Sequence, residues 1–296
     1  MSRPVTIEEM LEALKEKYKT SHFFKIENFS LIRKQISRVE SSAFISMVTN
    51  GRKLLVYSNG YGGGKNHVAI VVEKQASINV NLQIELFVIN QLQPTWHSKG
   101  TMALPSDLKW KGDSDLITHA DLETKGYHIG DCCIFGVRFI GIQPAESGTA
   151  ECFDLIEKPL NHKVTWMMTK FSSLEPENVH SSNEFVVGNR KWRIQVHPRG
   201  FKEGKDKSFS VYLSGEGFIN NVPRSNTFAI FKLRVLDQVN RDHLEKTYSG
   251  WLGEEPDVNH GFADFMPLKS LDKPYLVNDK FYVGVEFEVI SVTNSC

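Results

Sequence analysis

Four clusters of residues in this 296-residue chain have types that could do chemistry. Gly62-Gly63-Gly64-Lys65 has the composition of a phosphate loop, in which successive backbone N–H groups cradle phosphate oxygens. The second Gly-Lys-Ser/Thr element is absent and no helical pattern follows, so the run reads as a hairpin tip. Cys132 and Cys133 are adjacent on a strand pattern and point to opposite faces. Zinc needs ligands that converge, and no Cys-x-x-Cys partner exists. His119, Asp121, Glu123 and His128 are close in sequence but fit no standard ligand spacing, and they read as a solvated loop. Arg190, Lys191 and Arg193 with Lys202, Lys205 and Lys207 form a basic patch on a strand and turn. Most of it reads as a solvated face, and an acidic or phosphorylated partner is the chemistry it could serve. No Gly-x-Ser-x-Gly, cysteine box or paired-carboxylate signature is present. The expectation is a chain that is not an enzyme, takes no cofactor or metal, and works through its surfaces.

Composition narrows the class of surface. Lys+Arg and Asp+Glu are both 35, so there is no basic excess of the kind that nucleic-acid binding requires. Hydrophobic residues make up 41% of the chain and include 19 Phe, enough to build packed cores. No apolar run reaches membrane-spanning length, and the opening Met1–Met10 segment lacks the apolar centre of a secretory signal. Four cysteines are too few for a disulfide scaffold. These features predict a soluble protein of a reducing, cytoplasmic compartment, with neither nucleic-acid binding nor membrane insertion.

The elements that would position such surfaces are nearly all strands. Residues 6–19 predict the one helix: Thr6 and Glu9 have capping-box spacing, and Ile7, Met10, Leu11, Leu14 and Tyr18 share a face. That face suits packing on the neighbouring domain, with oligomerisation as the alternative. Beyond residue 20, short runs alternate in polarity between turn signals. In Lys280–Val289, Phe281, Val283, Val285, Phe287 and Val289 oppose Lys280, Tyr282, Glu286 and Glu288. Trp192, Ile194 and Val196 form another inward row, as do Phe231, Leu233 and Val235.

The chain also repeats itself. Phe29-Ser30 returns as Phe171-Ser172, and Ser41-Ser42 before Phe44 as Ser181-Ser182 before Phe185. Gly60 returns as Gly200, and Asn90-Gln91 as Asp237-Gln238. Tyr127 through Asp131 and Gly136 through Phe139 return at one constant spacing as Tyr275 through Asp279 and Gly284 through Phe287. Preserved order with drifting loop lengths predicts two copies of one fold. The expected organisation is a helix over 1–20, a first domain over 21–143, a linker over 144–162 and a second domain over 163–293. The fold class is all-β, two tandem antiparallel β-sandwiches with a short N-terminal helix.

The second half resembles the MATH domain, the TRAF-C-like sandwich named after meprins and TRAF adaptors. Val164 to Ser172 looks like its opening strand. Gly188…Trp192…Pro198-Arg-Gly200 is similar to its Gly…Trp…Pro-x-Gly strand and turn. Lys207 to Leu213 resembles its Leu-Ser-Leu-Tyr-Leu strand, and Gly261-Phe262 through Leu268 the segment leading to its last strand. The first half matches more weakly from Phe23 to Ile142, with Ser58 where Pro198 stands. Tandem copies with little else resemble a plant TRAF-like group. The resemblance implies an adaptor that binds short extended peptide segments of other proteins. An extended peptide can add to an exposed sheet edge, where backbone bonds give affinity and flanking pockets give selectivity. Carried over residue by residue, the peptide groove falls on Tyr212, Phe231, Trp251 and the segment Asn259, His260, Gly261 and Phe262. His260 stands where the family has Trp, which implies a more polar groove, and Trp251 is placed to compensate. In the first half the matching positions are Val71 and Ile84, and no Gly-Phe segment is clear. The alternative reading is a self-associating homo-oligomeric scaffold with no dedicated groove.

Overall fold

The computed structural model describes residues 6–46, 49–61, 66–75, 81–93, 95–141, 148–220, 222–256, 258–272 and 274–296. The glycine run at 62–65 and residues 144–147 of the expected linker lie outside them. Strands dominate, and among the described residues no helix is long and apolar enough to cross a membrane. The chain divides into two compact units. One comprises Met1–Leu155 with Pro223–Ser225 and Thr293–Cys296, and the other Ile156–Val222 with Asn226–Val292.

In the first unit one sheet runs Thr95–Leu104, Leu82–Asn90, Cys132–Ile140, Ser21–Ile26, antiparallel throughout. The other runs Val39–Glu40, Thr49–Tyr57, His67–Lys74, Trp110–Thr118. The second unit repeats this order. One sheet runs Leu244–Leu252, Thr227–Val235, Lys280–Ser295, Lys163–Thr169, and the other His180–Ser181, Arg190–His197, Ser208–Phe218, Val258–Pro267. Alternation explains these strands. Arg190–His197 is buried at every second residue, and Trp192, Ile194 and Val196 meet Phe231, Leu233, Val283 and Phe287 in the core of the second unit. The phase of that strand also corrects the basic patch: Arg190 falls in step with Trp192 and is buried, 1% exposed, while Lys191 and Arg193 point outward to Glu184 and Glu216.

The repeated landmarks are the polar joints of the two sandwiches. Asp131 accepts from the Ser30 backbone N–H at 2.9 Å, and Asp279 from that of Ser172 at 2.8 Å. Gln91 donates to the carbonyls of Tyr127 and Cys132, and Gln238 to those of Tyr275 and Lys280. Asn90 and Asp237 each accept from the two backbone N–H groups that follow in their turn. The Ser41 hydroxyl accepts from Leu54 N–H and the Ser182 hydroxyl from Ile194 N–H, so the true equivalent of Ser41 is Ser182. Each joint satisfies backbone groups where a strand ends, which burial demands.

Three features depart from the sequence reading. Thr149–Glu157, within the expected linker, is a strand lying parallel to Ser21–Ile26, with His22 opposite Thr149 and Ile26 opposite Phe153. It buries Glu151, Phe153 and Leu155. Phe29–Gln35 and His119–Thr124 are short helices, where only strands and loops are expected. The second is capped by Thr118, whose hydroxyl accepts from Asp121 N–H, so His119, Asp121 and Glu123 sit on a helix and not in a loop. Arg33 ties that helix down through Glu123 at 2.9 Å and His119 at 3.1 Å. Among the described residues no His, Cys, Asp and Glu cluster could hold a metal ion. The N-terminal helix spans Ile7–Lys17 with the Thr6–Glu9 capping box formed in both directions. Its Leu11 and Leu14 pack with Phe23, Phe87, Ile89 and Ile134, so this part of the apolar stripe is covered within its own unit, while Ile7 and Met10 are partly exposed.

Candidate functional site

In the second unit Val258–Pro267 and Leu244–Leu252 are the last strands of their sheets on the same flank of the sandwich. The residues along these two edges set the chemistry of that flank. Ser208–Phe218 turns Phe209, Val211 and Leu213 into the core, and Val258–Pro267 pairs with it: Val211 opposite Phe262, Tyr212 opposite Gly261, Leu213 opposite His260. His260 and Phe262 therefore point to the inner side, and Gly261 to the outer side beside Tyr212. Gly261 has no room for a side chain, because a Cβ there would overlap the Val211 carbonyl oxygen and the Tyr212 backbone.

On the inner side a ladder of contacts joins the two edges. Tyr248 lies 2.8 Å from His260 Nδ1 through its hydroxyl and stacks on Phe231, ring centroids 5.1 Å apart. Lys246 donates to Asp264 at 2.9 Å and lies 5.4 Å over the Phe262 ring. Burial, with the Arg190 guanidinium adding to it, holds His260 below the ordinary imidazole range, so the ring is neutral at neutral pH. Burial likewise raises the Tyr248 phenol. The His260 Nε2 is buried and has no hydrogen-bond partner among the described residues. A neutral imidazole, a phenol and an aromatic wall thus stand beside a sheet edge, with exposed Asn259 at its lip.

The seven residues carried over from the sequence do not form one trough. Tyr248, His260 and Phe262 come together on the inner flank, while Asn259, in step with Gly261, belongs to the outer side of the strand. Phe231 is fully buried and serves as the floor under Tyr248, a core residue and not a groove lining. Tyr212 is out of step with Val211, as its phase requires, and lies on the opposite face of the sheet from Phe262. It is only 7% exposed, because the turn at Gly200 folds Phe201 over it: His197 and Phe201 stack at 4.7 Å, with Tyr212 edge-on to both. Gly200 has φ +82°, and Phe201 N–H is held by the Ser210 hydroxyl, which itself donates to Ala263 O. Trp251 falls in step with the exposed side of its strand and packs edge-on to Phe228 at 5.6 Å. It cannot replace the Trp missing at His260. Tyr248 is the residue sequence reading missed. Its signal was the in-step row Leu244, Tyr248 and Leu252 on the edge strand.

The first unit holds the same geometry with other side chains. Val71 lies opposite Gly112 as Tyr212 lies opposite Gly261, and a Cβ on Gly112 would overlap Ile70 O and Val71. Lys111-Gly112-Asp113 is thus the counterpart of His260-Gly261-Phe262 that the sequence left unclear. Ile84 is fully buried, like Phe231. Val71 is smaller than Tyr212 and leaves a shallow groove of about 70 Å³, with Tyr57, Tyr61 and Trp110 around it. Tyr61 is 44% exposed and Trp110 52%.

Comparison with known proteins matches the same halves. A model of the MATH domain fits residues 21–139 and again 163–287. Ubiquitin C-terminal hydrolase 13 of Arabidopsis thaliana is 32% identical over 139 residues, 46% of this chain but 12% of that protein. A MATH domain and coiled-coil domain-containing protein of the same plant is 30% identical over 141 residues, 46% of this chain and 50% of that protein. Protein RESTRICTED TEV MOVEMENT 3 is 27% identical over 140 residues, 45% of each chain. The chain therefore spans half or less of the length of these relatives. Among solved structures, Notothenia coriiceps TRAF5 is similar at 22% identity and a TM-score of 0.36, covering 43% of this chain and 73% of that one.

Proposed function

The chain belongs to the MATH-domain family, with two copies in tandem, and we propose that it is a non-enzymatic adaptor whose second unit captures short extended peptide segments of partner proteins. The membership makes it a protein-interaction module in the coarse sense. The finer reading rests on one observation: the edge strand Val258–Pro267 carries a neutral His260, paired with Tyr248, between exposed Asn259 and half-buried Phe262. An extended segment adds to that edge as a further strand. Its backbone meets the outer edge of this last strand, and its side chains meet imidazole, phenol and the Phe262 ring. A His in place of a large indole favours small polar side chains at this point. A library of immobilised peptides probed with the full chain tests it. Replacing His260→Ala lowers retention at least tenfold and leaves the melting temperature within a few degrees.

A second reading comes from the exposed Tyr61 and Trp110 beside the Val71 groove, which favour a recognition face on the first unit. If Trp110→Ala abolishes retention and His260→Ala does not, the site belongs there. If the chain retains no peptide and sediments as a concentration-dependent oligomer, the self-associating scaffold replaces both.

A further inference from the structure

The four cysteines fall into two kinds. Cys132 is 5% exposed and Cys133 fully buried. Burial pushes the Cys132 thiol up to about 12 and Cys133 well above the usual range, so neither supplies a thiolate at neutral pH. Cys152 and Cys296 are both half-exposed and are joined to each other, with Cα atoms 5.7 Å apart, in the middle of the range a disulfide spans. Their proximity does not depend on sulfur alone. Cys296 N–H donates to Ala150 O at 3.3 Å, and Cys296 O accepts from Lys15 Nζ at 3.3 Å. Thr293 is held by the Ser225 hydroxyl at 2.9 Å. The segment Thr293–Cys296 is thus held by a backbone bond to Ala150 of the strand Thr149–Glu157 and by side-chain bonds from Lys15 and Ser225, which together present one sulfur to the other.

We infer that Cys152 and Cys296 form a reversible redox latch, closed by oxidation through glutathione disulfide and opened by glutathione. The bond joins positions 144 residues apart, so the closed ring contains every residue of the second unit. The exchange is balanced in two steps. One protein thiolate attacks glutathione disulfide, forming a mixed disulfide and releasing glutathione thiolate, which takes up a proton. The second protein thiolate attacks the protein sulfur of that mixed disulfide and releases a second glutathione. Two protein thiols are oxidised as one glutathione disulfide is reduced to two thiols. Both residues are partly exposed, unlike Cys132 and Cys133, and this gives the tripeptide its route to the pair.

Intact mass measurement after alkylation of the full native chain, equilibrated across glutathione buffers, tests this. Oxidising buffer should remove about 2 Da and leave no alkylatable thiol in the native chain. A non-reducing digest should yield the Cys152 peptide linked to the Cys296 peptide. Excess glutathione should restore two alkylatable thiols, at Cys152 and Cys296. Closing a ring this long removes conformational freedom from the unfolded chain, so the oxidised form should melt several degrees higher, on the order of 5 °C. The shift should vanish in Cys152→Ser. Alkylation of Cys152 and Cys296 in oxidising buffer, a link that includes Cys132 or Cys133, or a link between two chains would overturn the assignment. A bond that native glutathione cannot open would make it a permanent cross-link and overturn the latch. The mass readouts need only the wild-type chain and hold even where the serine variant folds poorly.

Discussion

At the scale of single residues, the flank of the second unit is defined by what Gly261 and His260 each permit. Gly261 lets the edge strand lie flush against Tyr212, so Gly261→Ala forces a backbone shift along Val258–Pro267. The expected cost is about 1–3 kcal/mol, read as a lower denaturant midpoint. Trp192 is fully buried, and its indole N–H donates to Val187 O at 3.1 Å. Trp192→Ala should cost roughly 3–5 kcal/mol; a loss under about 1 kcal/mol would place it at the surface instead. Some of this was legible in the sequence. The opposite phase of Tyr212 was visible from Val211 and Leu213, and the burial of Trp192 from Ile194 and Val196. The cover that Phe201 places over Tyr212 was not, because it depends on a turn at positive φ folding back across the sheet. Nor was the meeting of Tyr248 with His260, which lie on different sheets.

At the scale of elements, the strand Thr149–Glu157 carries a buried polar group that ties it to Ser42. Glu151 is 3% exposed and accepts from the Ser42 backbone and hydroxyl, yet burial pushes its carboxyl up to about 7. His22 beside it is pushed down to about 3 by burial. The folded state thus holds a proton on Glu151 between pH 4.5 and 7 that the unfolded chain has released. That contribution favours folding at low pH and is lost as pH rises through 7. His22 acts in the opposite direction, losing stability as pH falls below 6.5. Glu151→Gln removes only the first effect. Its stability relative to the natural chain should rise between pH 4.5 and 8 by about 3 kcal/mol, measured by urea unfolding at each pH. A flat difference would mean that Glu151 titrates normally. The alternation Glu151, Phe153, Leu155 was present in the sequence. Polar linker residues just before it masked the pattern, and the strand's partner lies more than a hundred residues away.

At the scale of the molecule, the order of landmarks revealed two copies of one fold, and their polar joints explain why those residues recur. Asp131 and Asp279, Gln91 and Gln238, and Asn90 and Asp237 each close the same junction in their own unit. Boundaries were less legible, since the first unit also includes Thr293–Cys296. We expect residues 156–292 alone to fold as a cooperatively melting β protein; an unfolded or aggregated product would show that this unit depends on the other. Hydrogen exchange of the full chain, with and without a peptide selected from the library, tests the adaptor reading most directly. Strand addition predicts new protection concentrated in Val258–Pro267 and its neighbour Leu244–Leu252, with the first unit unchanged. Protection centred on Trp110–Thr118, or spread evenly with no edge strand favoured, would contradict it.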